Sequence, residues 1–362
     1  MTRSLNPAKQ LSRPGPGHVP AAVARDLIRV VEEYEGNAAR FLRSAGLSHL
    51  QYLLDGREVS RSVARRDFTR LYAIATAVLD GHAARQEGRD SLTKNGVDMM
   101  CHAIITCRTL REVIARLARF SALLAPRTGL LTLTEHNGQA QLTMATIRSM
   151  RNSCAYLSDL TGLASYHRLL GWLMGEEIAL QGAALCYPPL LDRQTIAYLL
   201  PHKLQHGVTE NHLVFSSGYL ERPVVRSSHE LDHLLMHFPF DIEEAQSKEM
   251  PLSERINRLF AALFESGEPL PTAEGLSHQF SISLATLKRR LEAEGTSFAQ
   301  LKATALKEAT QRLLADPRLS IAEIARQAHF SDATAFRRAF ARWTGTSPTV
   351  WRRERGTNFR QT

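Results

Sequence analysis

The sequence predicts a mostly α-helical protein in which an α+β part is followed by an all-α part. Apolar residues recur at three- and four-residue steps over most of the chain, as on one face of a helix. The stretch GLLTLTEHNGQAQLTMAT instead alternates apolar and polar residues on either side of Asn137-Gly138, which is typical of a β-hairpin. After about residue 250 the pattern is helical throughout and contains a repeat.

The length of the chain indicates more than one domain, because 362 residues exceed what one hydrophobic core usually serves. A Pro-rich start and an acidic, polar run, DIEEAQSKEMPLSE, suggest where the chain is unstructured. We therefore expect the following order: a disordered tail at residues 1–20, a first domain at 21–240, a linker at 241–252, a second domain at 253–355, and a short tail at 356–362.

Charge is concentrated in the second domain. From Pro251 onward the chain has 17 Lys and Arg against 11 Asp and Glu, a net charge of +6, whereas residues 1–250 have 28 against 25, a net charge of +3. Such an excess suggests affinity for a polyanion. No run of 18 uncharged apolar residues and no secretory signal is present, and four cysteines show no metal-binding spacing, so we expect a cytoplasmic protein with reduced thiols.

Helices dominate the first domain up to about Leu124, and the predicted hairpin follows them. The remaining elements are expected in this order: a long helix at about Leu157–Glu177, a strand over AALCY, a short helix over RQTIAYLL, an extended stretch over HLVFSSGYL, and a helix over SSHELDHLLMHF. This order predicts an α+β domain.

The second domain contains two similar copies of one pattern. One copy reads GLSHQFSISLATLKRRLEAEGTSF and the other EIARQAHFSDATAFRRAFARWTGTSP. Leu287 aligns with Phe336, and Leu291 aligns with Phe340, so the apolar positions recur at helical spacing. A solvated surface helix has no reason to recur with its turns in place. The copies occupy about residues 272–294 and 320–343.

Capping signals divide each copy into two helices and a turn. Ser320 lies three residues before Glu323, which is the pattern of a capping box, and Ser331 is the expected N-cap of the helix that follows. Ser283 has the corresponding place in the first copy. Each copy is therefore predicted to be a helix-turn-helix.

The second helix of each copy presents small residues followed by cations on the face away from its apolar residues. Small side chains allow close approach to base edges, and Lys or Arg one turn later can contact guanine or a phosphate. A helix-turn-helix contacts the major groove with the N-terminal part of its second helix, where these residues lie. The candidate DNA-binding residues are Ala285, Thr286, Lys288, Arg289, Ala333, Thr334, Arg337 and Arg338.

A long helix is predicted between the copies. Ser297 with Gln300 forms its expected start, and Asp316-Pro317 ends it. At 1.5 Å per residue, this helix would be about 28 Å long. One turn of B-DNA is about 34 Å, so one chain is expected to cover two successive major grooves of double-stranded DNA. Ser347-Pro348 starts a last helix.

In these features the segment from about Ile256 to Arg353 resembles the AraC/XylS family of transcription regulators, above all in IAEIARQAHFSDATAFRRAFARWTGTSP. The resemblance implies two helix-turn-helix subdomains joined by a long helix, with the eight residues above contacting DNA. The sequence departs from the family at three positions. Ser281 and His329 replace the common turn glycine, and Ser277 replaces a small alanine of the first helix.

The first domain resembles the arabinose-binding-like effector domain of one subset of that family, the ornithine- and virulence-type regulators. The resemblance depends on the order of elements and on NHLVFSSGYLERPV followed by a helix. It implies a sensor of an unidentified small molecule that also forms a homodimer, and a regulator, more often an activator, that acts with RNA polymerase. It implies no cofactor.

Three side-chain groups in the first domain have a simple structural explanation. His229, His233 and His237 have a metal-compatible spacing, but the leucines beside them already explain an amphipathic helix, so we assign no metal site. The aromatic and histidine side chains Tyr156, Tyr166, His167 and Trp172 are of the kind that lines a pocket, although core or dimer packing explains them better. Cys101 and Cys107 lack any feature that activates a thiol.

Two other classes of protein could carry a DNA-binding domain of this kind, an enzyme and an architectural DNA protein. An enzyme carrying a DNA-binding module would need a catalytic motif, and residues 1–250 contain no GxSxG, Walker, HExxH or GxGxxG element, so we expect neither catalysis nor catalytic residues. An architectural DNA protein without a ligand would not need so large a partner domain. The sequence therefore favours an effector-responsive, sequence-specific DNA-binding regulator.

Overall fold

The computed structural model describes residues 17–54, 62–241 and 250–358. These residues form two compact units. The first unit runs to Ser217 and resumes at Ser227. The second contains Gly218–Arg226 together with the described residues that follow the gap at 242–249. Gly218–Arg226, which lies within the predicted first domain at 21–240, is thus part of the second unit.

The expected tails and linker lie mostly outside the described residues. Of the tail at 1–20, residues 1–16 are not described, whereas His18–Pro20 forms strand β1, which pairs with β2 at Ser62–Ala64. Of the linker at 241–252, residues 242–249 are not described, and Leu252 already begins a helix. Of the tail at 356–362, residues 359–362 are not described.

Helices make up most of the first unit. The third helix packs between the first and the sixth, and residues on the first helix such as Val23, Leu27 and Val30 are fully buried at helical spacing. The helices are α1 (Ala21–Glu35), α2 (Ala38–Ser44), α3 (Arg65–Glu87), α4 (Lys94–Ile104), α5 (Leu110–Leu124), α6 (Ser153–Met174), α7 (Arg193–Leu199) and α8 (Ser228–Leu235).

Besides the β1-β2 pair, the first unit contains a five-stranded sheet with strand order β3-β4-β7-β5-β6. Its neighbouring strands are antiparallel except for β5 and β6, which are parallel. The predicted hairpin is confirmed, because Asn137 and Gly138 have φ of +49° and +75° and join β3 to β4. The strands are β3 (Leu131–His136), β4 (Gln139–Met144), β5 (Leu180–Leu185), β6 (Leu204–His206) and β7 (Asn211–Ser216).

Helix α6 begins four residues before the predicted start. The side chain of Asn152 accepts a hydrogen bond from the backbone of Ala155 at 2.9 Å, which caps the helix. Its end is set by Gly175, whose φ of +68° reverses the chain three residues after Trp172. Most of its own residues are buried, on nearly all sides of the helix, so it lies in the core of the first unit.

The second unit is helical in the part of the chain that the structure describes. The predicted long connecting helix is 17 residues long, about 26 Å. Its start is capped by the Ser297 hydroxyl, which accepts a hydrogen bond from the backbone of Gln300. The helices are α9 (Leu252–Glu265), α10 (Ala273–Gln279), α11 (Leu284–Ala293), α12 (Phe298–Leu314), α13 (Ile321–Gln327), α14 (Ala333–Thr344) and α15 (Pro348–Asn358).

Two separate apolar cores hold the second unit together. The first unites the start of α12 with α9, α10 and α11 through Leu252, Ile256, Leu259, Phe260, Leu276, Phe280, Leu287, Leu291 and Leu301. The second unites the end of α12 with α13 and α14 through Leu314, Ile324, Ala325, Phe336 and Phe340. The predicted fold class is confirmed: the protein is mostly α-helical, with an α+β unit followed by an all-α one. In the described ranges no helix is long and apolar enough to cross a membrane.

Candidate nucleic-acid interface

The first helix-turn-helix consists of α10, a tight turn and α11. Ser283 is the N-cap of α11, as predicted, and its hydroxyl accepts a hydrogen bond from the backbone of Thr286 at 3.1 Å. In the turn, Ser281 has φ of +49°, which is the left-handed conformation that favours glycine. The Ser281 hydroxyl donates a hydrogen bond to the carbonyl oxygen of Gly218 at 2.6 Å, which holds this conformation.

The second helix-turn-helix consists of α13, its turn and α14. The predicted capping box is confirmed: the Ser320 hydroxyl accepts from the backbone of Glu323, and the Glu323 carboxylate accepts from the backbone of Ser320. The turn residue His329 has φ of +58°. Its Nε2 lies 3.0 Å from the carbonyl oxygen of Gly267. Both positions at which the family glycine is replaced therefore adopt the backbone conformation that a glycine would provide.

The two turns have the same backbone hydrogen bonds. Ser281 and Ile282 donate to the carbonyls three and five residues earlier, at 2.9 and 3.0 Å. His329 and Phe330 do the same, at 3.1 and 2.9 Å. The repeat seen in the sequence is thus a repeat in backbone structure.

The prediction that Ser331 caps α14 was wrong. Asp332 is the N-cap, and its Oδ1 accepts hydrogen bonds from the backbones of Thr334 and Ala335 at 2.7 and 2.8 Å. The Ser331 hydroxyl donates to the Asp332 carboxylate instead, at 3.3 Å. The second copy has one more residue than the first before its helix, and that residue moves the cap one position along the chain. The backbone donors of Ala335 and Thr334 lower the pKa of Asp332.

Both second helices have one buried face and one open face. Leu287 and Leu291 of α11 and Phe336 and Phe340 of α14 are each at most 1% exposed. Six of the eight candidate residues are exposed; Thr286 and Ala333 are half-buried. Ala333 packs partly against the second core, and the Thr286 hydroxyl lies 2.9 Å from that of Ser283.

Four cations on the open faces are available to a ligand. In the chain as described, the charged groups of Lys288, Arg289, Arg337 and Arg338 make no hydrogen bond or ion pair. Arg318, in contrast, which lies outside both second helices, has its guanidinium on both carboxylate oxygens of Asp316, at 3.0 and 2.8 Å. A guanidinium without a carboxylate partner can bind a phosphate or a guanine edge without first breaking an ion pair.

A group of three arginines in the second unit was missed in the sequence. The pKa of Arg222 falls to about 10, mainly because its guanidinium is buried. The positive charges of Arg255 and Arg290 nearby lower this pKa further. The guanidinium of Arg222 stacks on Tyr219, and that of Arg255 stacks on Phe280. No sequence signal joins these residues, because Arg222 belongs to the short stretch that comes from the first domain's sequence.

Most of the proposed pocket side chains and both cysteines are part of the first unit's core, whereas Tyr166 is half-buried and His229, His233 and His237 are exposed. Tyr156, His167 and Trp172 are at most 6% exposed, which agrees with packing. Cys101 and Cys107 are free, and burial raises the pKa of Cys101 to about 12, so its thiol is inert at neutral pH.

Two helix-turn-helix units with open cationic faces define a DNA-binding protein. Comparison with known protein families shows which family the two parts of the chain match. Residues 36–224, more than half of the chain, match the arabinose-binding domain of AraC transcription regulators, N-terminal. Residues 276–354 match a helix-turn-helix domain. The chain belongs to the AraC family of transcription regulators, and it is a DNA-binding transcription regulator. The resemblance stated from the sequence is confirmed.

Individual relatives are similar over different lengths. The ornithine utilization regulator of Pseudomonas aeruginosa is 25% identical over 351 residues, which cover 92% of this chain and 96% of that protein. The transcriptional regulator VirS of Mycobacterium tuberculosis is 30% identical over 137 residues, 34% of this chain and 40% of that protein. The crystal structure of the transcriptional regulator CdpR from Pseudomonas aeruginosa covers 91% of this chain and 98% of its own, at 18% identity and a TM-score of 0.32.

Proposed function

We propose that this regulator is an effector-responsive activator that contacts two successive major grooves of one duplex through α11 and α14. The observation that supports this most is the identical turn in both copies, each followed by a helix with two unpaired cations on its open face. Two helix-turn-helix units with the same turn and the same number of unpaired cations are expected if both bind the same kind of ligand.

Each of the eight candidate residues has a role in this proposal. The small side chains Ala285 and Ala333, with Thr286 and Thr334, lie in the first turn of their helices, where base edges come closest. Arg289 and Arg338 lie one turn later and are proposed to contact bases. Lys288 and Arg337 precede them and are proposed to contact phosphates, which adds affinity that depends on salt.

Helix α12 is proposed to set the distance between the two contacts. It packs with α9 in the first core and with α13 and α14 in the second, so both subdomains are attached to one rigid element. Its length of about 26 Å, with the width of the flanking helices, is comparable to the roughly 34 Å between successive major grooves.

The first unit is proposed to bind the effector, to form a homodimer and to control how the second unit works with RNA polymerase in the cytoplasm. The proposal follows from its match to an effector domain of this family. We propose that the protein acts as a regulator rather than as an enzyme. The name of the Pseudomonas aeruginosa relative makes ornithine the first compound to test.

Selection of bound DNA from a random pool, followed by footprinting of the selected site, tests the DNA part of the proposal. We expect protection of two stretches about one helical turn apart, on one side of the duplex. Protection of a single groove would contradict it. Repeating the selection and a transcription assay with ornithine and with other metabolites tests the effector part. Unchanged DNA binding and transcription with every compound would favour a ligand-independent architectural protein.

A further inference from the structure

Three side chains with metal-binding atoms meet in the first unit, and none of them belongs to α11 or α14. They are His167 on α6, Glu177 just after that helix, and His202 between α7 and β6. One imidazole nitrogen of each histidine and one carboxylate oxygen of Glu177 lie within 4.8 Å of one another. Ten and then 25 residues separate the three in the sequence, so no motif revealed them.

The end of α6 is built in a way that brings Glu177 beside the helix. After Gly175 the chain turns back, and the backbone of Glu176 donates a hydrogen bond to the carbonyl oxygen of Gly171 at 3.1 Å. A Cβ at position 171 would lie 2.9 Å from the carbonyl oxygen of Glu176, so only glycine allows this close return. The Glu177 carboxylate consequently lies near the last turns of α6.

His167 is held in the way that a metal-binding histidine usually is. Its ring is 5% exposed, and Nε2 lies 2.8 Å from the carbonyl oxygen of Ile178. Because a carbonyl only accepts, Nε2 carries the hydrogen and Nδ1 keeps its lone pair. A hydrogen bond from one ring nitrogen to a backbone carbonyl fixes the tautomer that leaves the other nitrogen free for a metal.

His202 completes the group. Its Nε2 is 3.5 Å from Oε1 of Glu177, and this buried nitrogen has no well-aligned hydrogen-bond partner within the described residues. The rings of His202 and His167 meet edge to face, with centroids 4.9 Å apart. Burial is the main cause that lowers the pKa of both histidines, and Glu177 opposes this shift at His202.

A simpler explanation treats the three residues as packing. The hydrogen bond of His167 to Ile178 would stabilise the turn after α6, and Glu177 would form an ion pair with His202. The ion pair is the weak point of that explanation, because His202 Nε2 and Glu177 Oε1 are 3.5 Å apart and the Glu177 side chain is 66% exposed, and such a pair adds little stability. The arrangement also brings an imidazole nitrogen of a second histidine within 4.8 Å of the other two ligand atoms, which an ion pair alone does not explain.

We propose that His167, Glu177 and His202 bind one divalent transition-metal ion of the Zn²⁺ class. Two imidazoles and one carboxylate are a common ligand set for Zn²⁺ and unsuited to Mg²⁺ or Ca²⁺, which take oxygen ligands. Zn–N and Zn–O bonds of about 2.0–2.2 Å require ligand atoms roughly 3.4 Å apart. Atoms that now lie within 4.8 Å of one another must therefore close by up to about 1.4 Å. Glu177, whose side chain is 66% exposed, is free to make that movement.

A bound ion would join the end of α6 to the segment that leads into β6, the edge strand of the sheet. It would thus stabilise the first unit and make that stability depend on the metal. Two of the three histidines to which we assigned no metal site, His229 and His233, lie on α8 with ring centroids 5.0 Å apart. They are the natural control, because they bring two imidazoles together without a carboxylate in the group.

Zn²⁺ titration of the untagged, chelator-treated full-length protein by calorimetry tests the site. We expect one ion per chain, and a loss of affinity of at least about tenfold in Glu177→Gln and in His202→Gln, whereas the double variant His229→Gln/His233→Gln binds as the parent does. Co²⁺ should give the strong visible absorption of a tetrahedral site in the parent and lose it in Glu177→Gln.

Three outcomes would overturn the proposal: no stoichiometric binding to the parent, binding that Glu177→Gln and His202→Gln leave unchanged, or binding that only the His229/His233 variant abolishes. Glu177 is exposed, so its variant should fold even if His202→Gln does not, and thermal melting of the metal-free proteins checks this. Because the site lies outside α11 and α14, a negative result would leave the proposed DNA contacts untouched.

Discussion

Arg338 shows how a single side chain can connect structure to function. It is exposed on α14, one turn after the helix start, and makes no ion pair in the described chain. We expect Arg338→Ala to weaken binding to the selected site by about 1–3 kcal/mol if the side chain contacts a base. Binding assays on the selected and on altered sequences, at several salt concentrations, measure the loss.

The matched control is Arg318→Ala, which removes an exposed arginine that lies outside both second helices and is already held by Asp316. It should leave specific binding nearly unchanged. If Arg338→Ala instead weakened binding equally on all sequences and lowered the salt dependence, the residue would contact a phosphate. If it changed neither, its proposed contact would be wrong.

Asp332 makes a second prediction at this scale. Asp332→Ala should lower the melting temperature of the second subdomain by several degrees through loss of the cap, whereas Ser331→Ala should not. The backbone donors lower the pKa of Asp332 below its unfolded value of about 3.9. Its stabilising effect is therefore complete above pH 4 and is lost as the pH falls through the folded pKa. Circular dichroism at pH 2–5 should show this loss in the parent but not in Asp332→Asn, whose cap does not titrate.

Ser281 tests the strain of the turn. Ser281→Ala and Ser281→Gly both remove the hydroxyl that donates to Gly218, but only glycine relaxes the left-handed backbone. We expect the alanine variant to be less stable than the glycine variant by about 1 kcal/mol in denaturant unfolding. Equal stabilities would mean that the turn is not strained by a side chain.

For single residues, the sequence predicted which side chains are buried or exposed better than it predicted which side chains contact one another. Helical spacing alone separated Leu287 and Phe336 from the cations beside them, because a period of 3.6 residues decides which side chains face a core. It placed the N-cap of α14 wrongly at Ser331 instead of Asp332, since both residue types are good N-caps and the turn geometry decides between them. The grouping of His167 with Glu177 and His202 depends on how α6 ends, which no short sequence pattern records.

Among the elements, the two cores of the second unit should respond independently to mutation. Phe340 is fully buried and packs against Phe336 and Trp351. Phe340→Ala should cost about 3–5 kcal/mol through the cavity that it leaves, and should unfold the second subdomain first. Hydrogen exchange should then show lost protection in α13 and α14 but retained protection in α10 and α11.

Leu287→Ala is the reciprocal control, with an expected cost of about 2–5 kcal/mol in the first core. It should unfold α10 and α11 and spare α14. Simultaneous loss of all four helices in either variant would show that the cores are one cooperative unit and contradict the separation seen in the structure.

The sequence predicted the elements whose turn or capping residues lie within or beside them. It missed the short strands that form only by pairing with segments far away in the sequence. The Asn137-Gly138 turn, the capping box at Ser320 and the long helix between the copies each have their cause in neighbouring residues. Strands β1, β2 and β6 are three residues long and exist because they pair with distant segments. A stretch such as His18–Pro20, next to a Pro-rich start, therefore looked like tail.

For the molecule as a whole, the central prediction is that both subdomains bind the same duplex at once. Arg289→Ala and Arg338→Ala lie in different subdomains with separate cores, so their losses in specific affinity should add to within about 0.5 kcal/mol in the double variant. Titration of all four proteins against one selected site measures this. If either single variant bound that site as tightly as the parent, only one subdomain would be engaged.

The order of domains was evident from the sequence because composition and pattern change near residue 250. The assignment of Gly218–Arg226 to the second unit was not, since this stretch is continuous in sequence with strands and helices of the first. Contacts such as those of Ser281 with Gly218, and of Arg258 with the carbonyl oxygen of Val225, are visible only once the chain is folded.

The assignment of Gly218–Arg226 to the second unit matters for anyone who expresses the two units as separate fragments. The backbone passes from one unit to the other at Ser217, returns by Ser227, and passes over again after Asp241. A fragment cut at the acidic stretch would leave nine residues of the DNA-binding half behind, among them the fully buried Leu220. The second unit would then be incomplete, and a DNA-binding fragment would need those nine residues joined to it again.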